Sequence, residues 1–320
     1  MLEVKNMNIA FKANENYVNV TDKVSFQLKR GETLGIVGES GCGKSVTVQA
    51  LMGLLTPIQS RVRAEVMTFE GHKLLELSPK EWCKIRGNEI SMIFQNPMTC
   101  LNPLMSCGKQ IREVIVLHQK VTKKEAKKKS IDLLGLMGIS EPEKHYDFYP
   151  HQLSGGMLQR VMIAMALACE PKLLIADEPT TALDVTIQSQ ILKLIKDLQK
   201  NLGMAFILIT HDLGVLEDMV DNILVMYAGQ VVETGTISEV LKSPIHPYTK
   251  GLIQSIPKLN NVKSRLQSIE GTVPIPSDFP TGCRFYDRCS NKKDSCREFK
   301  YQLEGPSSSR QSSCQFWREI

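Results

Sequence analysis

Thr33-Leu34-Gly35-Ile36-Val37-Gly38-Glu39-Ser40-Gly41-Cys42-Gly43-Lys44-Ser45 decides the fold. The first five residues form a continuous apolar run of strand length, and residues 45–55 read as a helix, so the glycine-rich turn lies between a strand and a helix start. Two glycines with four residues between them, followed by Lys and Ser, make the phosphate-loop pattern. Glycines at Gly38, Gly41 and Gly43 let the backbone bend so that the N–H groups around Ser40 and Cys42 face a phosphate, and the helix N-terminus behind them favours negative charge. Lys44 is the candidate for neutralising β- and γ-phosphate charge, and the Ser45 hydroxyl the candidate ligand for Mg²⁺. The loop taken alone would suit several phosphate-handling folds.

Moving outward, Leu173-Leu174-Ile175-Ala176-Asp177-Glu178 ends a buried strand on two carboxylates, where open α/β sheets bind ligands. Two adjacent acids there have separate tasks. Asp177 is expected to hold Mg²⁺ through water, and Glu178 to orient or deprotonate the water that attacks the γ-phosphate. Leu153-Ser154-Gly155-Gly156-Met157-Leu158-Gln159-Arg160 precedes a helix-like run over 161–169, so Ser154, Gly155 and Gly156 present a second set of backbone donors at a helix start.

Alternation over 3–11 and 24–28, separated by a polar loop with Asn14, Asn16 and Asn19, predicts two antiparallel strands at the start. Further strands are expected over 205–209 and 223–226, with a helix over 213–220 between them, which fits a largely parallel sheet. Amphipathic candidates over 108–119 and 123–137 place a helical subdomain, about 96–165, inside an α/β core. Beyond Thr234 the composition turns to Pro, Ser, Lys and Cys, so the expected division is 1–235 and an irregular extension, 236–320.

The 320 residues carry 39 basic and 34 acidic side chains, a net charge of +5. That mild excess does not argue for nucleic acid, and no aromatics interleave with Lys123-Lys124-Glu125-Ala126-Lys127-Lys128-Lys129, which reads as a solvated helix face. No stretch approaches the roughly 18 apolar residues of a membrane span, and Met1-Leu2-Glu3-Val4-Lys5 lacks a basic-then-apolar leader, so a cytosolic chain is expected. Of nine cysteines, Cys42, Cys83, Cys100, Cys107 and Cys169 are scattered fillers, whereas Cys283, Cys289, Cys296 and Cys314 cluster late.

The phosphate loop, the LSGG sequence and the acidic strand end, in this order, resemble the nucleotide-binding subunits of ATP-binding-cassette (ABC) transporters. The resemblance implies an α/β P-loop NTPase cassette with a RecA-like core, an antiparallel β subdomain and a helical subdomain. It implies that Gln95 senses Mg²⁺ and relays to membrane subunits, that Asp184 in Ala182-Leu183-Asp184 communicates across a dimer, and that His211 contacts the γ-phosphate. An aromatic of the opening β region stacks on adenine, here Tyr17, with Phe11 as the alternative. It further implies that residues 154–156 of one subunit close on the phosphate loop of a second, identical or related, so that two subunits sandwich two ATP molecules at the cytoplasmic face of a membrane. Lys44, Gln95, Glu178 and His211 are all present, which argues against a degenerate, non-hydrolysing partner. About 110 residues separate Lys44 from Ser154 without sustained heptads, which argues against a soluble cassette ATPase working on nucleic acid or ribosomes.

Phe94-Gln95-Asn96-Pro97-Met98-Thr99-Cys100-Leu101-Asn102-Pro103, the LSGGM variant and His246-Pro247-Tyr248-Thr249 resemble the peptide and nickel importer branch, over nearly the whole chain. That resemblance implies two permease partners and an extracytoplasmic solute-binding protein, with peptide as the cargo and nickel or a metal chelate as the alternative. The late cysteines, with five, six and seventeen residues between them, suit a four-iron cluster or zinc, or stand as unligated thiols. No pair lies two to four apart as in zinc ribbons. An iron–sulfur cluster of the [4Fe–4S] type, which members of the branch carry, is therefore the expectation.

Overall fold

The computed structural model describes residues 1–180, 184–255 and 268–320. In chain order the elements are β1 (Leu2–Ala13), β2 (Asn16–Leu28), β3 (Thr33–Val37), α1 (Lys44–Leu51), β4 (Ser60–Arg63), β5 (Val66–Phe69), β6 (His72–Lys73), α2 (Pro79–Ile85), β7 (Ile90–Ile93), α3 (Pro97–Cys100), α4 (Cys107–His118) and α5 (Lys123–Leu136). They continue with α6 (Pro142–His145), α7 (Gly155–Leu167), β8 (Leu173–Asp177), α8 (Val185–Leu202), β9 (Ala205–Thr210), α9 (Leu213–Met219), β10 (Asn222–Tyr227), β11 (Gln230–Thr236), α10 (Ile237–Lys242), α11 (Pro247–Gln254) and β12 (Gln311–Ser312). They fall into two compact units. The first holds Met1–Lys29, Thr33–Glu76 and Leu208–Ile320, and the second Arg30–Glu32 and Leu77–Ile207.

In the first unit β1 and β2 form a long antiparallel hairpin, from Leu2 opposite Leu28 to Ala13 opposite Asn16. Asn14 turns it with a left-handed φ of 57°. Asn16 and Asn19 belong to β2 rather than to a loop, because polar residues at the exposed rim still pair through their backbone. β4 and β5 add to the other edge of β1. β3 is buried at every position, as its unbroken apolar run predicts, and pairs in parallel with β10, whose other edge takes β11 antiparallel. α1 stops at Leu51, short of the expected residue 55, because Gly53 takes a left-handed φ of 59°. The late segment is built of short 3-10 turns and joins β11 through β12, with Glu233 opposite Ser312.

In the second unit β7 and β8 pair in parallel, Ile90 opposite Leu173. Helices α4, α5 and α7 bury Ile111, Ile115, Leu134, Val161 and Ile163. α8 lay outside the sequence reading. Asp184 caps its start by accepting the Ile187 N–H at 2.9 Å, and Gly203 in the left-handed region ends it. Among the described residues no helix is long and apolar enough to cross a membrane.

Candidate nucleotide site and cysteine cavity

The phosphate loop runs from the buried end of β3 into α1 in the first unit. A Cβ on Gly38 would lie 2.2 Å from the Met226 carbonyl oxygen, so only glycine lets the chain leave β3 against β10. Gly43 caps α1 with a φ of 102°, against Thr21 and Gly229. The Lys44 ammonium is buried and donates to the Gly38 carbonyl at 2.7 Å and the Glu39 carbonyl at 3.0 Å. It lies on the loop it is predicted to serve, with backbone carbonyls as its present acceptors. Burial pushes the Cys42 thiol up, against the opposing pull of Lys44. Gly41 and Ser40 are exposed at the tip, and Ser45 is half-buried at the second position of α1.

Tyr17 stands on β2 and Phe11 on β1, both half-buried. The Arg61 guanidinium of β4 lies 3.7 Å from the Tyr17 ring centre, so a cation covers one face of that ring. His211 is exposed just beyond β9. The following Asp212 caps α9 by accepting the Gly214 N–H at 2.9 Å.

The second unit carries the acidic strand end. Asp177 is buried as the last residue of β8, and Glu178 follows with a left-handed φ of 46°, a strained conformation for a non-glycine residue. Gln95 is brought to it from just beyond β7, donating Nε2 to Glu178 Oε2 at 3.1 Å. The buried Gln159 amide donates to the Pro179 carbonyl and so fixes the chain after Glu178. Ser154 caps α7 by accepting the Met157 N–H at 3.4 Å, with Gly155 exposed and Gly156 half-buried beside Ile187. Asp184 has the structural task of capping α8. Ala182 and Leu183, of the same predicted loop, lie outside the described residues.

Cys283, Cys289, Cys296 and Cys314 line one cavity of about 290 Å³, together with Phe285 and Phe316. Each lies on a tight turn: the Cys283 carbonyl accepts the Tyr286 N–H, the Cys289 N–H donates to the Tyr286 carbonyl, the Cys296 N–H donates to the Lys293 carbonyl, and the Cys314 carbonyl accepts the Trp317 N–H. The Cys283 N–H donates to the Cys296 carbonyl at 2.8 Å, an approach that requires Gly282, whose Cβ would meet backbone atoms of Cys296 and Arg297 at 2.3–2.5 Å. Burial pushes the Cys283 thiol up to about 12 and that of Cys314 to about 11, and the neighbouring cysteines push in the same direction. Among the described residues no three or more His, Cys, Asp or Glu side chains converge as ligands of one metal ion. The four cysteines border the same cavity, and thiols are donors that zinc and iron clusters both accept.

Three residues that sequence reasoning left aside join these features within the first unit. Glu39, the second residue of the phosphate loop, takes Arg288 on its carboxylate and gives its N–H to the Tyr248 hydroxyl. The available signal was His246-Pro247-Tyr248-Thr249, which marked a branch of a family and nothing about the loop.

A sequence profile of the ABC transporter family matches residues 21–181, and one described as the oligopeptide/dipeptide transporter C-terminal region matches residues 232–296. The chain is 46% identical over 319 residues to the oligopeptide transport ATP-binding protein AppD of Bacillus subtilis, covering 100% of this chain and 97% of the relative. It is 54% identical over 291 residues to OppD of the same organism, covering 91% and 81%. Among solved structures, an ATP-binding cassette captured as a dimer in a post-hydrolysis state with ADP and Pi superposes with a TM-score of 0.65 at 29% identity. That match covers 74% of this chain and 99% of the cassette.

Proposed function

The chain belongs to the ABC transporter family, among the ATP-hydrolysing subunits of its oligopeptide/dipeptide branch, and on that premise we propose that it couples ATP binding and hydrolysis to peptide uptake. The observation that carries the reading is the succession of two matches in one chain, a cassette over 21–181 and a peptide-transporter C-terminal region over 232–296. On the same reading 1–235 is the cassette and 236–320 its extension.

In this mechanism Lys44 exchanges its carbonyl partners for the β- and γ-phosphates, and the loop from Gly38 to Ser45 supplies backbone donors. Ser45, Asp177 and Gln95 would hold Mg²⁺, which supplies charge neutralisation on the leaving phosphate. Glu178 orients the attacking water, with Gln95 hydrogen-bonded to its carboxylate, and His211 donates to the γ-phosphate. Tyr17 stacks on adenine. Residues 154–156 and Asp184 serve the site of a second cassette, so that ATP closes the pair and hydrolysis reopens it. The assembly has two permeases and an extracytoplasmic binding protein, with this chain at the cytoplasmic face.

The four cysteines would hold a [4Fe–4S] cluster, a reading supported by their common cavity and by a donor set of thiols alone. Such a group would tie together a segment with little core of its own. Anaerobic purification should yield about four irons per chain with broad visible absorbance. Cys296→Ala, which removes one donor, should lose both, and unchanged iron content would overturn the assignment. For cargo, cells lacking this chain should take up labelled di- and oligopeptides only at background rate, with uptake restored by the wild type and not by Lys44→Ala. Peptide uptake that survives the loss of the chain would sink the reading.

A further inference from the structure

Glu39, the second residue of the phosphate loop, has two tethers that come from the C-terminal segment. Arg288 Nη1 lies 3.1 and 3.0 Å from the two carboxylate oxygens, and its side chain is 7% exposed against 29% for Glu39. The guanidinium is itself fixed, Nε donating to the Glu270 carbonyl at 2.8 Å and Nη2 to that of Ile269 at 3.3 Å. The Tyr248 hydroxyl accepts the Glu39 N–H at 2.9 Å. Its ring is wholly buried against Tyr227 and Phe285, with centroids 4.7 and 5.4 Å away. The remaining polar group of Glu39 faces the loop: its carbonyl accepts from Cys42 N at 3.3 Å and from Lys44 Nζ at 3.0 Å.

We propose that Arg288 and Tyr248 are positioning residues for the nucleotide, holding the phosphate loop through Glu39 so that Lys44 and the donors after it are preorganised for ATP. The inference rests on the reading of residues 38–45 as the nucleotide loop. The loop bends at Gly38, Gly41 and Gly43, so its own sequence does not fix its shape. A half-buried, charge-assisted contact at its second residue does, because a guanidinium with three fixed donors restrains a carboxylate far more than solvent can. The Tyr248 hydroxyl turns the Glu39 N–H toward the aromatic cluster, and the Glu39 carbonyl passes that orientation to Lys44. Binding then spends less on ordering the loop. Arg288 directly precedes Cys289, so this contact also connects the cysteine cavity to the phosphate loop in one unit.

The test uses the full-length chain titrated with a fluorescent ATP analogue and Mg²⁺, and the assembled transporter for turnover. Arg288→Met should weaken nucleotide binding by about tenfold, as expected for a lost contact between charged groups. KM for ATP should rise by a similar factor while kcat at saturation stays within about twofold, a split that partial unfolding would not give. Arg288→Lys should recover part of the loss. Glu39→Gln reads the same contact from the loop side should Arg288→Met fold poorly, and the double variant should lose no more than either single one. Affinities within twofold of wild type in Arg288→Met and Glu39→Gln, or additive losses in the double variant, would overturn the proposal. Lys44→Ala separates the premise: if it too binds normally, the reading of the loop fails; if it alone loses binding, the positioning role does.

Discussion

Gln95 and Glu178, 83 residues apart in sequence, are joined by one hydrogen bond of 3.1 Å from the amide to the carboxylate. Glu178 meets it from a left-handed backbone at φ 46°, held from behind by Gln159 on Pro179. A residue kept in that conformation and bonded through its functional group is aimed rather than merely solvated. Glu178→Gln keeps the shape and removes the base. We expect nucleotide binding to persist and steady-state hydrolysis to fall by about 10²- to 10³-fold, the contribution of a positioned general base. Turnover near the wild-type rate in a phosphate-release assay would remove Glu178 from the hydrolytic role.

Gly38 and Gly41 separate two reasons for glycine within one loop. A Cβ at Gly38 meets a backbone oxygen at 2.2 Å, and nothing flexible lies there to yield. Gly38→Ala should cost about 3 kcal/mol or more in urea unfolding, the upper range for overpacking, and abolish nucleotide binding. Gly41 has open space around it and a φ of 80°, so Gly41→Ala should cost only about 1 kcal/mol, the strain of the left-handed region. Equal losses at the two positions would contradict this account.

Where one face or one run of residues is wholly buried, the sequence announces it. Thr33–Val37 and Leu173–Asp177 are buried at every position and were legible as strands from their apolar runs. Ser154 and Asp177 stand where their motifs predict, at a helix start and a strand end. β4 to β6 were not legible, because short strands carrying Arg61, Arg63, His72 and Lys73 lack a strong period. The Arg288 to Glu39 contact spans 249 residues and joins a loop to a 3-10 turn, so no local pattern encodes it. Its partners are ordinary charged residues until the fold brings them together.

The seam between β11 and the C-terminal segment is a buried ion pair. Arg310 Nη2 lies 2.7 Å from Glu233 Oε1, the side chains 6% and 0% exposed, and Arg310 also donates to the carbonyls of Thr234 and Ser243. Burial pushes the Glu233 carboxyl up, so its charge depends on the guanidinium. Arg310→Met should therefore cost about 3 kcal/mol, as expected when one partner of a buried pair is removed. Adding Glu233→Gln should recover much of that loss, since an amide oxygen still accepts the Ile245 N–H. A double variant no more stable than Arg310→Met would show that the cost lies in lost packing.

His246 makes the stability of the same region depend on pH. It is 1% exposed, and its Nδ1 accepts the Tyr248 N–H at 3.1 Å, capping the helix that carries the tyrosine. Burial holds its pKa down to about 3, against 6.5 for the free side chain. The folded value is the lower one, so the neutral ring's contribution is complete above pH 6.5 and is lost as the pH falls from there toward 3. Between pH 7.5 and 5 this one group should remove about 2 kcal/mol of stability. His246→Asn keeps an acceptor at the cap and does not titrate. The variant should start less stable at pH 7.5, through lost packing, and then decline less steeply, so that the gap to wild type narrows by that amount. Urea unfolding of both proteins at pH 7.5, 6 and 5 measures the gap directly, and parallel curves would mean that the His246 ring gains its proton without cost in the folded chain.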